Sequence, residues 1–527
     1  MRERGTSASG DGNGDHTSGH RTFWLVLTAA YFAYSFLATL YAPAGGWTNE
    51  VFGAPMWLEH DPGGPYITSA NGLFQGENGP HYPGHPGLPL QLLLRGIQQA
   101  QYAVGAGDSG LTFTEFVART LPSTYLYSKL LITVLHLLSF VAVYRFSLQL
   151  LLPERAALLA TFGYATSFPV LYYLSRVSVE PLMVLFFLAT FLCIWECQRQ
   201  LVRSSSAAVL WAALAGLNAG LGFVTKMAFL GPLPVYGLLL LLSSAPAADS
   251  SSGAQTKLKL AIAYGLAGLF VLAGSSVIID WVEFFTLWRS VATIRNQMVT
   301  SPLPGINASG IFLLTEGVFV AIGFVGWLWF LQTKKDARAR MTWVSVYVGY
   351  SLLIWGYRVI SRGLDFRAFH YLFLLLPVLS VTFGFILDLA LRRIAPQARG
   401  ARGLVVALAL VLLFHGGSLW AAADSRARDV QAYAPLAPLH ALISTLGPDE
   451  FIGLTAKGAG RQWRLLQKSE QVTGMMTRWA PGGRASPLIE EYATLARRVG
   501  PKRKALDGRA GELDLLGPYV IVREPKG

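Results

Sequence analysis

Charged residues are scarce in this chain. Asp, Glu, Lys and Arg make up 14% of its 527 residues, where soluble domains average about 25%. The deficit excludes an ordinary soluble domain and points to one large membrane domain with an appendage. Cysteine is scarcer still: Cys193 and Cys197 are the 2 present, one helical turn apart inside an apolar run. That leaves neither a disulfide framework nor a Cys-based zinc site, and packing is the role that remains. The acidic residues are outnumbered, giving a net charge of +13. Nucleic acid is nevertheless not the expected partner, because the basic residues gather in short segments between apolar runs, as the positive-inside rule requires. Apolar content is missing from residues 1–22, which are rich in Gly, Ser and Asp and read as a disordered cytoplasmic tail. The apolar run that follows is too long for a signal peptide and lacks a small-residue cleavage pattern, so it reads as a retained first span.

Apolar runs fill most of residues 23–423. A bilayer core takes about 20 residues per helix. By that measure the expected spans are Phe23–Ala42, Ser128–Leu151, Ala156–Leu174, Val179–Glu196, Ala207–Val224, the short Phe229–Leu242, Leu258–Ile279, Ile311–Leu331, Met341–Ile360, Ala368–Leu391 and Leu404–Ala423. That makes about eleven spans. Placing the N-terminus inside puts "LLPER", "QRQLVR", "TKLK", "QTKKDARAR" and "LRRIAPQARGAR" in the cytoplasm, with most of the loop Lys and Arg. The outer face then receives a long first loop, residues 43–127, a medium loop from Asp280 to Gly310, and the tail 424–527. Loops of this length in a compact protein are usually functional. In the first, "LPLQLLLRGIQQAQYAV" and "TFTEFVARTL" have helical apolar spacing and read as helices on the membrane surface. The tail mixes the helical pattern "SPLIEEYATLARRVG" with the strand patterns "EFIGLTA" and "PYVIV", the makings of a small α/β domain.

Chemistry is expected on the outer face. Its acidic groups are Glu50, Glu59, Asp61, Glu77, Asp108 and Glu115, then Glu180, Asp280 and Glu283. Outer cations oppose the topological bias, which singles out Arg176, Lys226, Arg289, Arg295, Arg358, Arg362 and Arg367. "YRVISRGLDFRAFHY" sets three of those arginines beside His370 and Tyr371 at the mouth of a span. Arginine suits phosphate oxygens. Arg176 and Glu180 are one turn apart and suited to pairing with each other, while Glu180-Pro181 fits a helix start with an acid at the positive dipole end. Asp61 before Pro62-Gly63 also fits plain turn chemistry. Asn307-Ala308-Ser309 is a formal glycosylation acceptor of low specificity.

The ordered set of segments resembles the GT-C superfamily, and within it the bacterial protein O-mannosyltransferases and aminoarabinose transferases. The matching residues are Asp61, Tyr66, Ala70, Phe74, Gly76 and "HYPGHPGLPLQLLL" from His81. "SRVSVEPLMVLFFLATFL", "AGLNAGLGFVTKMAFLGPLPVYGLLLLL" and "RAFHYLFLLLPVLSV" then follow in the family's order. They cover about the first 390 residues, each segment being weak alone. One departure is plain: most relatives carry Asp-Glu where this chain has Asp61-Pro62, which leaves Glu59, Glu77 or Glu180 as the second carboxylate. Glu59-His60-Asp61 also fits the acidic-x-acidic motif with which other branches hold a divalent cation, so Glu59 and Asp61 are the metal ligands if there are any.

The resemblance implies an all-α polytopic membrane enzyme of the bacterial cytoplasmic membrane, mannosyltransferase-like and acting on the cell envelope. It would move a hexose or pentose, with inversion, from a polyprenyl-phosphate donor to a hydroxyl of a protein, lipid or glycan acceptor. No cofactor is firmly implied. Asp61, with Glu59 beside it, would take the acceptor proton. Arg362 and Arg367, then Lys226 and Arg358, would bind the donor phosphate. Tyr66, His85, Arg176, Glu180 and His370 would position substrate. A transporter or lipid flippase is the rival class, but the chain lacks the paired internal repeats common in transporters.

Overall fold

Hydrocarbon offers a backbone no partners, so an apolar run must satisfy its own N–H and C=O groups, and the helix does this. The computed structural model describes residues 21–33, 63–74, 86–105, 110–150, 152–174, 176–201, 203–226, 237, 250–282, 284–285, 310–333, 349, 373, 375–394, 401–417, 419–420, 450–454, 513–516 and 519–523. The helices are α1 (21–33), α2 (Gly63–Gly72), α3 (Leu88–Gly105), α4 (Phe113–Arg119), α5 (Leu121–Gln149), α6 (Glu154–Thr166), α7 (Phe168–Leu174), α8 (Glu180–Leu201), α9 (Ser205–Thr225), α10 (Ser250–Ser275), α11 (Gly310–Thr333), α12 (Leu376–Ile394) and α13 (Ala401–Phe414).

Four of these, within α5, α8, α9 and α10, are long and apolar enough to cross a membrane, and the bent pair α6–α7 makes a fifth. The first and eighth expected spans are helical where described, the tenth is helical from Leu376, and the eleventh is helical apart from a turn at His415. The sixth and ninth, Phe229–Leu242 and Met341–Ile360, lie outside the described residues apart from positions 237 and 349.

The expected single span Ala156–Leu174 is corrected: it breaks by 58° between α6 and α7. Ser167 is extended at ψ 147, and Pro169 has no N–H to give the carbonyl of Ala165. The Tyr31 hydroxyl of α1 donates to that carbonyl instead. A buried carbonyl left bare would cost about 1–3 kcal/mol, so the tyrosine offsets the bend.

Glycine sets the closest helix crossings. A Cβ on Gly216 of α9 would lie 2.0 Å from the Tyr264 carbonyl oxygen of α10, and one on Gly384 of α12 would lie 2.5 Å from the Ala160 nitrogen of α6. Below that second crossing, Asp388 of α12 is buried and accepts from Arg155 at 2.5 Å and Arg392 at 2.8 Å. Arg155 belongs to "LLPER" and Arg392 to "LRRIAPQARGAR", so these two basic segments meet at one end of the bundle. Cys193 and Cys197 are free and buried in α8.

In the tail, Glu450–Leu454 (β1), Leu513–Leu516 (β2) and Tyr519–Arg523 (β3) form an antiparallel sheet in the order β1-β3-β2, with Ile452 opposite Ile521 and Leu516 opposite Tyr519. β1 and β3 fall on "EFIGLTA" and "PYVIV", while "SPLIEEYATLARRVG" lies outside the described residues.

Removing the Asp388 carboxylate takes a buried counter-charge from the part-buried Arg155, whereas Arg392 reaches solvent. Asp388→Ala is therefore expected to lower stability by about 3 kcal/mol, read as a lower midpoint of thermal unfolding in detergent. Arg392→Ala should shift it by less than about 1 kcal/mol.

Candidate active site

The long first loop folds back on the bundle through polar side chains. The buried face of α3 carries Leu88, Leu90 and Leu94 but also Gln91 and Gln98. Gln98 Nε2 donates to the Ile67 carbonyl of α2 at 2.8 Å, and Gln91 Nε2 to the Pro86 carbonyl at 2.7 Å. Gln101 Nε2 reaches the Ser123 hydroxyl at the head of α5, and the Thr124 hydroxyl donates back to Gln101 Oε1. Arg95 Nη1 donates to the Asn71 carbonyl at 2.6 Å and its guanidinium stacks 3.9 Å over Phe113 of α4. Burial lowers the Arg95 pKa from its ordinary value. This glutamine row ties α2, α3 and α5 into one unit, a feature that apolar periodicity does not register.

The loop is then hooked to the spans at Gly87. Its N–H donates to the Thr225 carbonyl at the end of α9, 3.2 Å away, one residue before Lys226. Gly87 has φ 61, and a Cβ there would lie 2.2 Å from the Tyr66 ring. Only glycine admits both the left-handed backbone and that contact. Tyr66 is fully buried in a cluster with Ile67, Val177, Val179 and Leu182, which joins α2 to the segment entering α8. α2 stops at Gly72, and Phe74 follows at φ 67 with its side chain exposed.

That entry segment carries the buried charges. Glu180 is 5% exposed in the first turn of α8, with Pro181 behind it, as the helix-start reading expected. Its ion-pair partner is Lys226, Nζ to Oε1 2.9 Å, and not the neighbouring Arg176. The reason is direction: residue 176 precedes the helix, so the i,i+4 register that would face it to Glu180 does not exist there. Arg176 is 3% exposed and lies 3.9 Å over the Tyr172 ring of α7.

Of the expected site residues, Tyr66, Arg176, Glu180 and Lys226 are thus brought to the end of the bundle that carries the first loop. Glu59, Asp61, His85, Arg358, Arg362, Arg367 and His370 lie outside the described residues. Among the described residues no three His, Cys, Asp or Glu side chains cluster as metal ligands. Sequence reasoning passed over Lys129 and His136, both fully buried in α5. An ionisable residue inside a span was the available signal.

The chain is an integral membrane protein of the polytopic helical class. No family model matches it, and no curated protein matches it. Among solved structures it is similar to the Archaeoglobus fulgidus oligosaccharyltransferase tethered to an acceptor peptide containing the NVT sequon, at 14% identity over 90% of this chain and 63% of that one, with TM-score 0.46. The apo form of that enzyme gives 14% identity, 90% and 65% coverage and TM-score 0.44. The archaeal oligosaccharyltransferase AglB from the same organism, in complex with an inhibitory peptide and a dolichol-phosphate, gives 13%, 92%, 65% and 0.48. The chain spans less than two thirds of the length of these structures.

The Glu180–Lys226 pair is testable as a unit. Removing one partner of a buried pair costs about 3 kcal/mol or more, whereas replacing both with apolar groups is often neutral. Glu180→Leu and Lys226→Met should each lower the unfolding midpoint clearly, and the double variant should recover most of the loss. Additive losses in the double would show that the two act separately.

Proposed function

We propose that this protein is an inverting glycosyltransferase of the GT-C type, moving a sugar from a polyprenyl-phosphate donor to an acceptor hydroxyl at the outer face of the membrane. One juxtaposition carries the reading. α2 begins two residues after Asp61, and Gly87 and Tyr66 hold it against span ends bearing Glu180, Lys226 and Arg176. A carboxylate-bearing loop fixed over buried charge at one end of a helical bundle suits a reaction between a lipid-anchored donor and an acceptor arriving from the other phase.

An alcohol is a poor nucleophile at neutral pH, so Asp61 takes its proton as the oxygen attacks the anomeric carbon. The bond from that carbon to the phosphate oxygen breaks on the opposite side, the configuration inverts, and polyprenyl phosphate leaves with the electron pair. Arg362, Arg367 and Arg358 face the charge that develops on the phosphate. Glu59 assists Asp61, and His85 and His370 orient the sugar. Lys226 acts differently from a phosphate ligand: Glu180 offsets its charge, and the pair fixes the helix ends on which the loop is seated. The acceptor is a protein, lipid or glycan hydroxyl, and a divalent cation at Glu59 and Asp61 fits the same carboxylates. The positive-inside rule supports a cytoplasmic N-terminus and an outer tail.

The test is reconstitution of the full chain in liposomes with a polyprenyl-phosphate-linked sugar and an envelope extract as acceptor. Transfer is expected, and Asp61→Asn should lower its rate by about 100-fold or more, the scale of a general base, with expression and unfolding midpoint unchanged. Unimpaired transfer by Asp61→Asn would remove Asp61 as the base. Movement of the donor across the bilayer without transfer would favour a flippase.

A further inference from the structure

The reaction just described gives Arg95 of α3 no task, yet its charge is unusual. Lys226 and Arg155 each meet a carboxylate, whereas Arg95 meets none among the described residues. No other charge on α2 or α3 offsets it, since Gly63–Gly72 carries none and Leu88–Gly105 carries Arg95 alone. The guanidinium is nonetheless fixed. Nη1 donates to the Asn71 carbonyl at 2.6 Å, and the planar group lies 3.9 Å over the Phe113 ring. A ring face steadies a cation without cancelling its charge. Capping the end of α2 suits a cation, but it takes one of five N–H donors. The buried Nε has no acceptor. The residue as a whole is part exposed, so the Nε–Nη2 edge is within reach of a solute. A desolvated charge is costly until a counter-charge meets it.

Two measures place this edge with the acceptor and not with the donor. α3 is bonded through Gln101 to Ser123 and Thr124, and the apolar stretch of α5 starts at Ser123. The helix that carries Arg95 thus sits at the head of that span, on the side from which a water-borne molecule arrives. Distance is the second measure. Asn71 lies about 12 Å along α2 from Gly63, and Asp61 enters at the Gly63 end. A donor phosphate is bonded to the carbon that reacts, so it must lie next to the base. A group on the acceptor can stand farther off. One guanidinium with a single free edge matches the two oxygens and the single charge of a carboxylate.

We propose that Arg95 forms an acceptor subsite that recognises a carboxylate, and that the acceptor is an acidic glycan. This rests on the glycosyltransferase reading and names the acceptor class which that reading left open. The fixed guanidinium favours a glycan over an acidic peptide. A uronate carboxylate is attached directly to its ring, whereas an Asp or Glu side chain gives up rotamer freedom when it is held. The edge binds and does no chemistry: Arg95 orients the acceptor so that a hydroxyl farther along it meets Asp61.

The experiment is calorimetric titration of the detergent-solubilised full chain with trigalacturonate, its methyl ester and triglutamate. The wild type should bind trigalacturonate about tenfold or more tighter than the ester, the scale of a charged hydrogen bond. Arg95→Gln, which keeps a donor for the Asn71 carbonyl but drops the charge, should bring acid and ester level. Arg95→Lys keeps the charge without the fork and should retain a smaller preference. If Arg95→Gln is not recovered folded, Arg95→Lys decides the matter. A preference unchanged in either variant overturns the subsite, as does a wild type that binds acid and ester alike. Triglutamate binding as tightly as trigalacturonate overturns the glycan assignment and makes this a peptide subsite. The glycosyltransferase reading is judged separately, by transfer from the polyprenyl-phosphate donor. Acid binding without any transfer overturns the acceptor role, while transfer with no acid preference overturns the subsite alone.

Discussion

Inside a bilayer no water repairs a missing hydrogen bond, and this fold is arranged around that constraint. Pro169 takes a donor away from the α6–α7 span, and the chain responds with Tyr31 from a helix 134 residues distant in sequence. The bend is thus a three-element construction in which α1 closes a bond that α7 cannot make. Aromatic rings fill the surrounding space: Tyr31 meets Phe140 edge-on, Phe140 meets Tyr164, and Tyr164 and Tyr173 both meet Phe373. Such edge contacts add about 0.5–1.5 kcal/mol each beyond their area, and here they fix the direction in which α7 leads the chain towards Arg176 and Glu180.

The same constraint governs the charges. At one end of the bundle Asp388 takes Arg155 and Arg392, and at the loop end Glu180 takes Lys226. Arg155–Asp388 clamps α6 to α12, which the Gly384 contact has already brought together, and Glu180–Lys226 ties the start of α8 to the end of α9. A buried ion pair contributes little net stability compared with apolar packing, but it penalises any arrangement that separates its members. The pair specifies how α8 meets the end of α9, and the hook from Gly87 to Thr225 ties the first loop to that same end. The second fixes the loop to the same point that the first makes rigid.

Much of the helical architecture was legible because span length is a matter of composition, and composition survives without tertiary knowledge. The helix start at Glu180-Pro181 was legible for the same local reasons of dipole and proline geometry. What escaped was non-local. Arg176 looked like the partner of Glu180 because spacing offers only near neighbours, whereas Lys226 arrives from the end of another helix. The span through Ser167 looked continuous because every residue around the break is apolar or small, and the one clue, Pro169, is also tolerated in membrane helices. The glutamine row of α3 read as the polar side of a surface helix, since a pattern of hydrophobicity cannot say that Gln91 and Gln98 are buried. Of the expected site, the described residues hold Tyr66, Arg176, Glu180 and Lys226, and the carboxylates of Glu59 and Asp61 lie outside them.

These placements divide the cations by what their charge can do. Lys226 stands 2.9 Å from a carboxylate, so from a few ångströms away the pair presents a dipole rather than a positive charge. At an effective dielectric near 20, a lone unit charge at 4 Å interacts with about 4 kcal/mol, and an opposed charge beside it removes most of that. A donor phosphate would therefore gain less from Lys226 than from a cation with no carboxylate beside it. A first loop that brings a carboxylate to such a site need not bring one to Lys226, which already has its own. The departure at Asp61-Pro62 is then easier to accommodate. With Glu180 already paired to Lys226, the acidic neighbour nearest to Asp61 in the chain is Glu59.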